Sequence, residues 1–170
     1  MTYSHVLESG GGLITSISSR RDMDEFAKRL RRFDGVELFA LCVWPLPEGM
    51  DYDQAVDAGL DAQEYLQAAG RADQLTVELR KAGGQQWGAE WVRYVVGHPH
   101  TGPAPLDVEI VLPKSTEVIS APEVFDAAEA ARLFYDFYKT GAIPTEYTLR
   151  PVQGFTADGA VIDLRDAAPR

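Results

Sequence analysis

Apolar residues along this chain switch between two spacings, and the switch marks the elements. From Val124 to Tyr138 they recur at steps of three and four (Val124, Ala127, Ala131, Phe134, Tyr138), which at about 100° per residue lines one face of an α-helix. The other side carries Glu129, Arg132, Asp136 and Lys139, alternating in sign as a solvated face does. Ser120 and Glu123 have the spacing of a capping box, Ile119 and Val124 that of a hydrophobic staple, and Gly141 with Pro144 supplies a stop, so the pattern predicts a helix running from Ser120 to Thr140. Its apolar face needs a sheet to lie on.

Two further stretches read as helices. Asp22 and Glu25 form a second capping-box pattern, followed by Met23, Phe26, Ala27, Leu30 and Phe33 as a buried stripe. The basic residues of that helix are balanced locally, with Asp24 against Lys28 and Glu25 against Arg29. Ala55, Ala58, Ala62, Tyr65, Leu66 and Ala69 predict a helix from Asp53 to Ala69. On its opposite side Asp53, Asp57, Asp61 and Glu64 would fall within about a quarter-turn of one another. No Lys or Arg lies between Arg32 and Arg71 to relieve them. Such a face is either a solvated surface or an electrostatic patch made for a partner.

The remaining pattern is strand-like. Leu13 to Ser18 reads as a short strand, and Val36 to Trp44, apolar on both faces, as a central one. Leu75 to Arg80 and Gln86 to Val96 alternate around Gly83-Gly84 as a hairpin, with Trp87 and Trp91 on one face as a wall of the core. Leu106 to Leu112, Glu146 to Val152 and Phe155 to Leu164 complete the set. Residues 1–12 and 166–170 carry no periodicity and are expected to be flexible. The sum is an α+β fold, a single domain over 1–170 in which a mostly antiparallel sheet of about six or seven strands carries three helices.

Composition narrows the function classes. A formal net charge of −10 argues against direct nucleic-acid binding, which rests on clustered Lys and Arg, and favours a basic protein partner. No apolar run approaches the roughly 20 residues of a membrane helix, and the first residues have neither the basic nor the apolar region of a signal peptide, so a cytoplasmic protein is expected. Cys42 is the only cysteine and sits in an apolar strand pattern, as a buried inert thiol does. Gly10-Gly11-Gly12 precedes a strand instead of following one, the wrong order for a phosphate loop. His98-Pro99-His100 has no third ligand near it in sequence and reads as a loop. No catalytic, metal or cofactor site is expected.

The segment from Leu75 to Arg150 resembles an immunity protein family of bacterial polymorphic toxins, the first-numbered of that series. The residues that carry the likeness are Ala127, Glu129, Ala130, Ala131, Phe134, Thr140, Gly141 and Pro144, in a helix with a Thr-Gly end, a following proline and a short final strand. The family's last strand usually holds a tryptophan where this chain has Tyr147 and Leu149. The resemblance implies a non-enzymatic antidote that binds a cognate toxin domain and blocks its active site. Asp53, Asp57, Asp61 and Glu64 are the residues expected to meet a basic surface on that toxin. Another acidic protein-binding domain, or a small enzyme without a local motif, stands beside this expectation.

Overall fold

The computed structural model describes residues 2–166. The chain runs β1 (His5–Ser9), β2 (Leu13–Ile17), α1 (Asp24–Leu30), β3 (Ala40–Pro45), α2 (Tyr52–Asp57), β4 (Tyr65–Arg71), β5 (Gln74–Ala82), β6 (Trp91–Gly97), β7 (Val108–Val111), β8 (Thr116–Ile119), α3 (Ala127–Thr140), β9 (Thr148–Phe155) and β10 (Val161–Asp163). Eight strands form one sheet in the order β10-β9-β6-β5-β4-β3-β1-β2, and β7 pairs with β8 alone. Every strand pair is antiparallel. The architecture is α+β, as its spacing predicts, with more strands than the six or seven expected.

Side-chain alternation gives the large sheet two different faces. On one, Leu7, Leu41, Val43, Leu66, Ala68, Leu75, Val77 and Val96 join Phe26 and Leu30 of α1 and Phe134, Phe137 and Tyr138 of α3 in the main core. The last turn of α3 is tied to the chain entering α1: the Tyr138 hydroxyl donates to the Ser18 carbonyl and accepts the Arg21 N–H at 3.0 Å. The other face has two separate covers. Val6 and Trp44 pack against Ala55 of α2, while Val95 and Val152 pack against Ile110 and Ile119 of the β7–β8 hairpin. Between the covers the register sets Glu8, Cys42, Gln67 and Glu78 in a row across β1, β3, β4 and β5.

Several expectations need correction. Within residues 1–12, expected to be flexible, His5–Ser9 forms β1, an interior strand between β2 and β3. Its alternation was short, yet Val6 and Leu7 are buried on opposite faces. Val36 to Phe39 do not extend β3, because the Asp34 carboxylate accepts the N–H groups of Val36, Glu37 and Leu38 at 2.9, 2.9 and 3.1 Å and curls that segment. Trp87 sits in a one-turn helix, Gln85–Trp87, and so does not share a strand face with Trp91. The Ser120–Glu123 box caps only another single turn, after which Val124 is extended and Phe125 bridges Leu75. The true start of α3 is Asp126, whose carboxylate accepts the Glu129 N–H at 2.9 Å. Its end is as predicted, with Gly141 left-handed at φ 78°. The expected flexible tail, 166–170, lies almost wholly outside the described residues.

The largest correction concerns the helix expected from Asp53 to Ala69. Asp51 caps α2 through a reciprocal box with Gln54, both bonds 2.9 Å, but the helix stops at Asp57. Gly59 follows in the left-handed conformation at φ 72°, which ends a helix at low cost for glycine alone. Tyr65–Arg71 then becomes β4, paired to β3 and β5 on its two edges. Tertiary pairing overrides the helical propensity of its alanines.

Candidate interaction surface

The loss of that helix redistributes the carboxylates it would have aligned. Asp53 and Asp57 remain one turn apart on α2, both exposed; Asp61 lies in the turn after Gly59, and Glu64 at the entry to β4. Asp61 comes near a residue the sequence did not point to, Glu8 of β1, and the charges of both, with that of Asp53, act on Tyr52. Tyr52 records this convergence: desolvation, then the charges of Glu8, Asp61 and Asp53, push its phenol pKa up. Glu8 is held by the Trp44 indole, which donates to its carboxylate at 3.1 Å. Its own pKa is raised by burial and by Asp61, against the lowering effect of that hydrogen bond. Glu64 stands apart from the others. Partial burial raises its pKa while the charge of Lys81 pulls it down.

Eight carboxylates and no Lys or Arg lie between Arg32 and Arg71. Among the described residues none of Glu8, Asp53, Asp57, Asp61 and Glu64 forms a salt bridge. Elsewhere three buried carboxylates, Glu25, Glu78 and Glu123, are paired. Glu25, only 6% exposed, takes Arg29, Lys28 and Arg21 at 2.8, 3.0 and 3.6 Å. Glu78 pairs with Arg93, whose Nε also donates to Gln153 at 3.2 Å, and both carboxylate oxygens of Glu123 accept from Arg150. The carboxylates of the α2 region are thus among those left without a salt-bridge partner.

Beside this region runs an apolar groove of about 310 Å³, walled by Pro45, Leu46 and Pro47 on one side, Trp91 on another, and Leu60, Gln63 and Glu64 on the third. Its walls are fixed by Arg80. That guanidinium donates to the carbonyls of Gln63 and Ala62 and lies over the rings of Trp91, at 5.1 Å, and Phe155, at 4.5 Å. The segment that carries Asp61 and Glu64 is thus clamped to β5, with Trp91 of β6 and Phe155 of β9 beneath the guanidinium. Ala62 pays for the geometry by adopting φ 49°, a conformation an L-residue with a side chain takes only under constraint. Nothing in the spacing of Pro45, Leu60 and Trp91 marks them as neighbours; only the β3–β4–β5–β6 register does.

A second groove, of about 320 Å³, lies under β8 and contains Glu78, Glu117, Arg93 and Arg150. Its arginines are engaged by Glu78, Gln153 and Glu123, so it reads as an ion-paired seam between sheet and hairpin. Cys42, on the row between Glu8 and Gln67, has its thiol pKa pushed far up by burial first and by Glu8 second, as an inert thiol does. Among the described residues no group of three His, Cys, Asp or Glu is placed to hold a metal ion, and no helix is long and apolar enough to cross a membrane. Comparison with protein-family models, with curated proteins and with solved structures finds no match. The likeness of Leu75 to Arg150 to the immunity family rests on the quoted residues alone.

Proposed function

We propose that this protein is an immunity protein, an antidote that works by binding a basic toxin domain and covering its active site. The observation that carries the reading is the unpaired carboxylate surface of Glu8, Asp53, Asp57 and Asp61 on a chain of net charge −10. Grouping Glu8, Asp53 and Asp61 around Tyr52 costs repulsion that no salt bridge offsets, and a cationic partner would turn that cost into attraction. A toxin acting on nucleic acid or a nucleotide carries positive charge where its substrate sits, so an acidic inhibitor both fits that site and is drawn to it over long range. The family resemblance of residues 75–150 points the same way. In this reading the protein performs no chemistry of its own, and its function lies in complementarity.

The test is growth rescue. A candidate toxin domain, taken from a neighbouring gene, is induced in cells that carry either the wild-type protein or the double variant Asp53→Lys/Asp61→Lys. Rescue by the wild type and its loss in the double variant, with the thermal midpoint of the variant unchanged, is the expected result. If the wild type neither rescues growth nor forms a complex with that domain, the antidote reading fails.

A further inference from the structure

We infer that the polar groove under β8 binds a free aliphatic amino acid, with the ligand's carboxylate on Arg93 and Arg150 and its ammonium between Glu78 and Glu117. The ion pairs of this seam use only part of their bonding capacity. Arg150 gives Nε and Nη2 to Glu123 at 2.8 and 3.0 Å, and Arg93 gives Nη1 to Glu78 and Nε to Gln153. A guanidinium carries five N–H donors in a fixed fork, and among the described residues Nη1 of Arg150 and Nη2 of Arg93 have no protein acceptor. The second carboxylate oxygen of Glu78 and the Thr76 hydroxyl are likewise unbonded among the described residues, and Glu117 has no salt bridge there. Thr76 and Glu78 are only 2% and 8% exposed, yet neither of these atoms is sealed from solvent, so they open into the groove that both residues line.

The mixed charges of the groove select such a ligand. Arg93, Arg150 and Arg165 line it against Glu78 and Glu117, with Glu123 holding Arg150 from behind. A simple anion meets two carboxylates there and a simple cation meets the guanidiniums, whereas a zwitterion finds a counter-charge for each end. Glu78 shows where positive charge is short. Burial raises its pKa first, Arg93 lowers it, Glu117 raises it again and Arg150 lowers it, and the net direction is upward. These four groups therefore feel one another, and Arg93 does not fully offset the burial of the Glu78 carboxylate. An ammonium between Glu78 and Glu117 adds the missing charge. Val95, Val152 and Ile119 make the apolar floor, and the half-exposed Leu106 and Val118 give the ligand's side chain a further apolar wall. At about 320 Å³ the groove stands at the small end of the range of roughly 300–1,000 Å³ for ligand sites.

The experiment titrates the full chain with leucine, isocaproate, isoamylamine and glycine while backbone and arginine side-chain NMR resonances are followed. Leucine is expected to shift Thr76, Glu78, Arg93 and Glu117 saturably, with a Kd of about 1 mM or below. Isocaproate lacks the ammonium, isoamylamine the carboxylate and glycine the side chain, and each should bind weaker than leucine by roughly tenfold or more. Isocaproate binding as tightly as leucine would show a plain anion site, isoamylamine doing so a plain cation site, and glycine doing so a site that makes no use of its apolar walls; each result overturns the inference. Absence of any saturable shift with leucine overturns it as well. Glu117→Gln, with no salt bridge to lose, should keep the thermal midpoint and weaken leucine binding by roughly tenfold, while Glu37→Gln, exposed and outside the groove, should leave it unchanged. Undiminished leucine binding in Glu117→Gln overturns the placement of the ammonium and the inference with it. Growth rescue plays no part in these measurements, so the antidote reading and this site stand or fall separately.

Discussion

His98 and Glu129 form a charge-assisted clamp at the junction of β6 and α3, with Nε2 of the imidazole 2.7 Å from the Glu129 carboxylate. The other ring nitrogen lies 2.6 Å from the Pro122 carbonyl, so both nitrogens face acceptors and both must carry protons to satisfy them. The ring also stacks on Phe125 at 4.3 Å, and Glu129 accepts a further bond from the Tyr147 hydroxyl at 2.9 Å. Burial opposes the charged imidazole, but the hydrogen bonds to Glu129 and Pro122 outweigh it and raise the His98 pKa.

The sign of the pH dependence follows. A folded-state pKa above the unfolded one means that the clamp contributes fully below the ordinary histidine value of about 6.5 and fades as pH rises through the raised value. His5 carries the opposite sign: burial first, then Lys139, lowers its pKa to about 4, so the ring is neutral and its contribution is lost as pH falls below about 6.5. Urea midpoints of the wild type and His98→Gln measured from about pH 5.5 to about pH 8.5 should differ most at the acid end and converge at the alkaline end. A gap that does not narrow would mean that His98 acts through packing on Phe125 alone.

The α3 face is predicted to be the main source of stability. Phe134 is fully buried between sheet and α1, with its ring 5.9 Å from that of Phe26, so Phe134→Ala should cost about 3–5 kcal/mol in a denaturant titration. Asp126→Ala should cost about 1 kcal/mol, because Asp126 is the residue that caps the helix. An unchanged midpoint for Phe134→Ala would contradict the packing described.

Glu123 is 3% exposed and holds Arg150 through contacts of 2.8 and 3.0 Å. It also accepts the Ser120 N–H at 2.9 Å. Arg150→Met removes the main counter-charge from a buried carboxylate and should cost on the order of 3 kcal/mol. Adding Glu123→Gln to that variant should recover much of the loss, since the buried charge is then gone as well. A double variant no better than the single one would show that the arginine acts by its aliphatic stem.

The carboxylates of the α2 region should contribute to association and little to folding. With the cognate domain in hand, the association rate of the wild type should fall steeply as salt rises past the point where the Debye length is about 8 Å, while Asp53→Lys/Asp61→Lys should be slower and less sensitive to salt. Stopped-flow traces at several ionic strengths measure both. Identical salt slopes would return Asp53 and Asp61 to the role of plain solvated residues.

What the sequence revealed and what it hid have separate physical causes. The α3 stripe was legible because period and contacts agree: Ala127, Ala131, Phe134 and Tyr138 are all buried. The segment from Asp53 to Ala69 was not, because alanines at helical spacing suit a helix face and an interior strand equally, and the choice fell to pairing with β3 and β5. With that helix gone, the charges of Asp53 and Asp61 still both act on Tyr52, but through the turn at Gly59 and together with Glu8, a residue on a strand the periodicity had not suggested. Glu25 and Glu129, which read as members of solvated ion pairs, each gather several partners. Long-range register decides β4, the place of Glu8 and the partners of Glu129, and spacing along the chain carries no record of it, whereas the partners of Glu25 are all within four residues.

β6 and β9 are neighbours in the sheet, yet the chain leaves at Gly97 and returns only at Thr148 after building the β7–β8 hairpin and α3. During synthesis the first six strands can therefore associate through mostly adjacent pairings while one full edge of β6 waits for a partner. Closing so long an excursion is entropically slow, which places the β6–β9 zipper late in folding. Until then β6 offers open hydrogen-bonding groups above the buried residues Val92, Val95 and Val96, the kind of edge that recruits other chains. Nascent or truncated chains ending before Thr148 are for that reason the species in which this protein should aggregate.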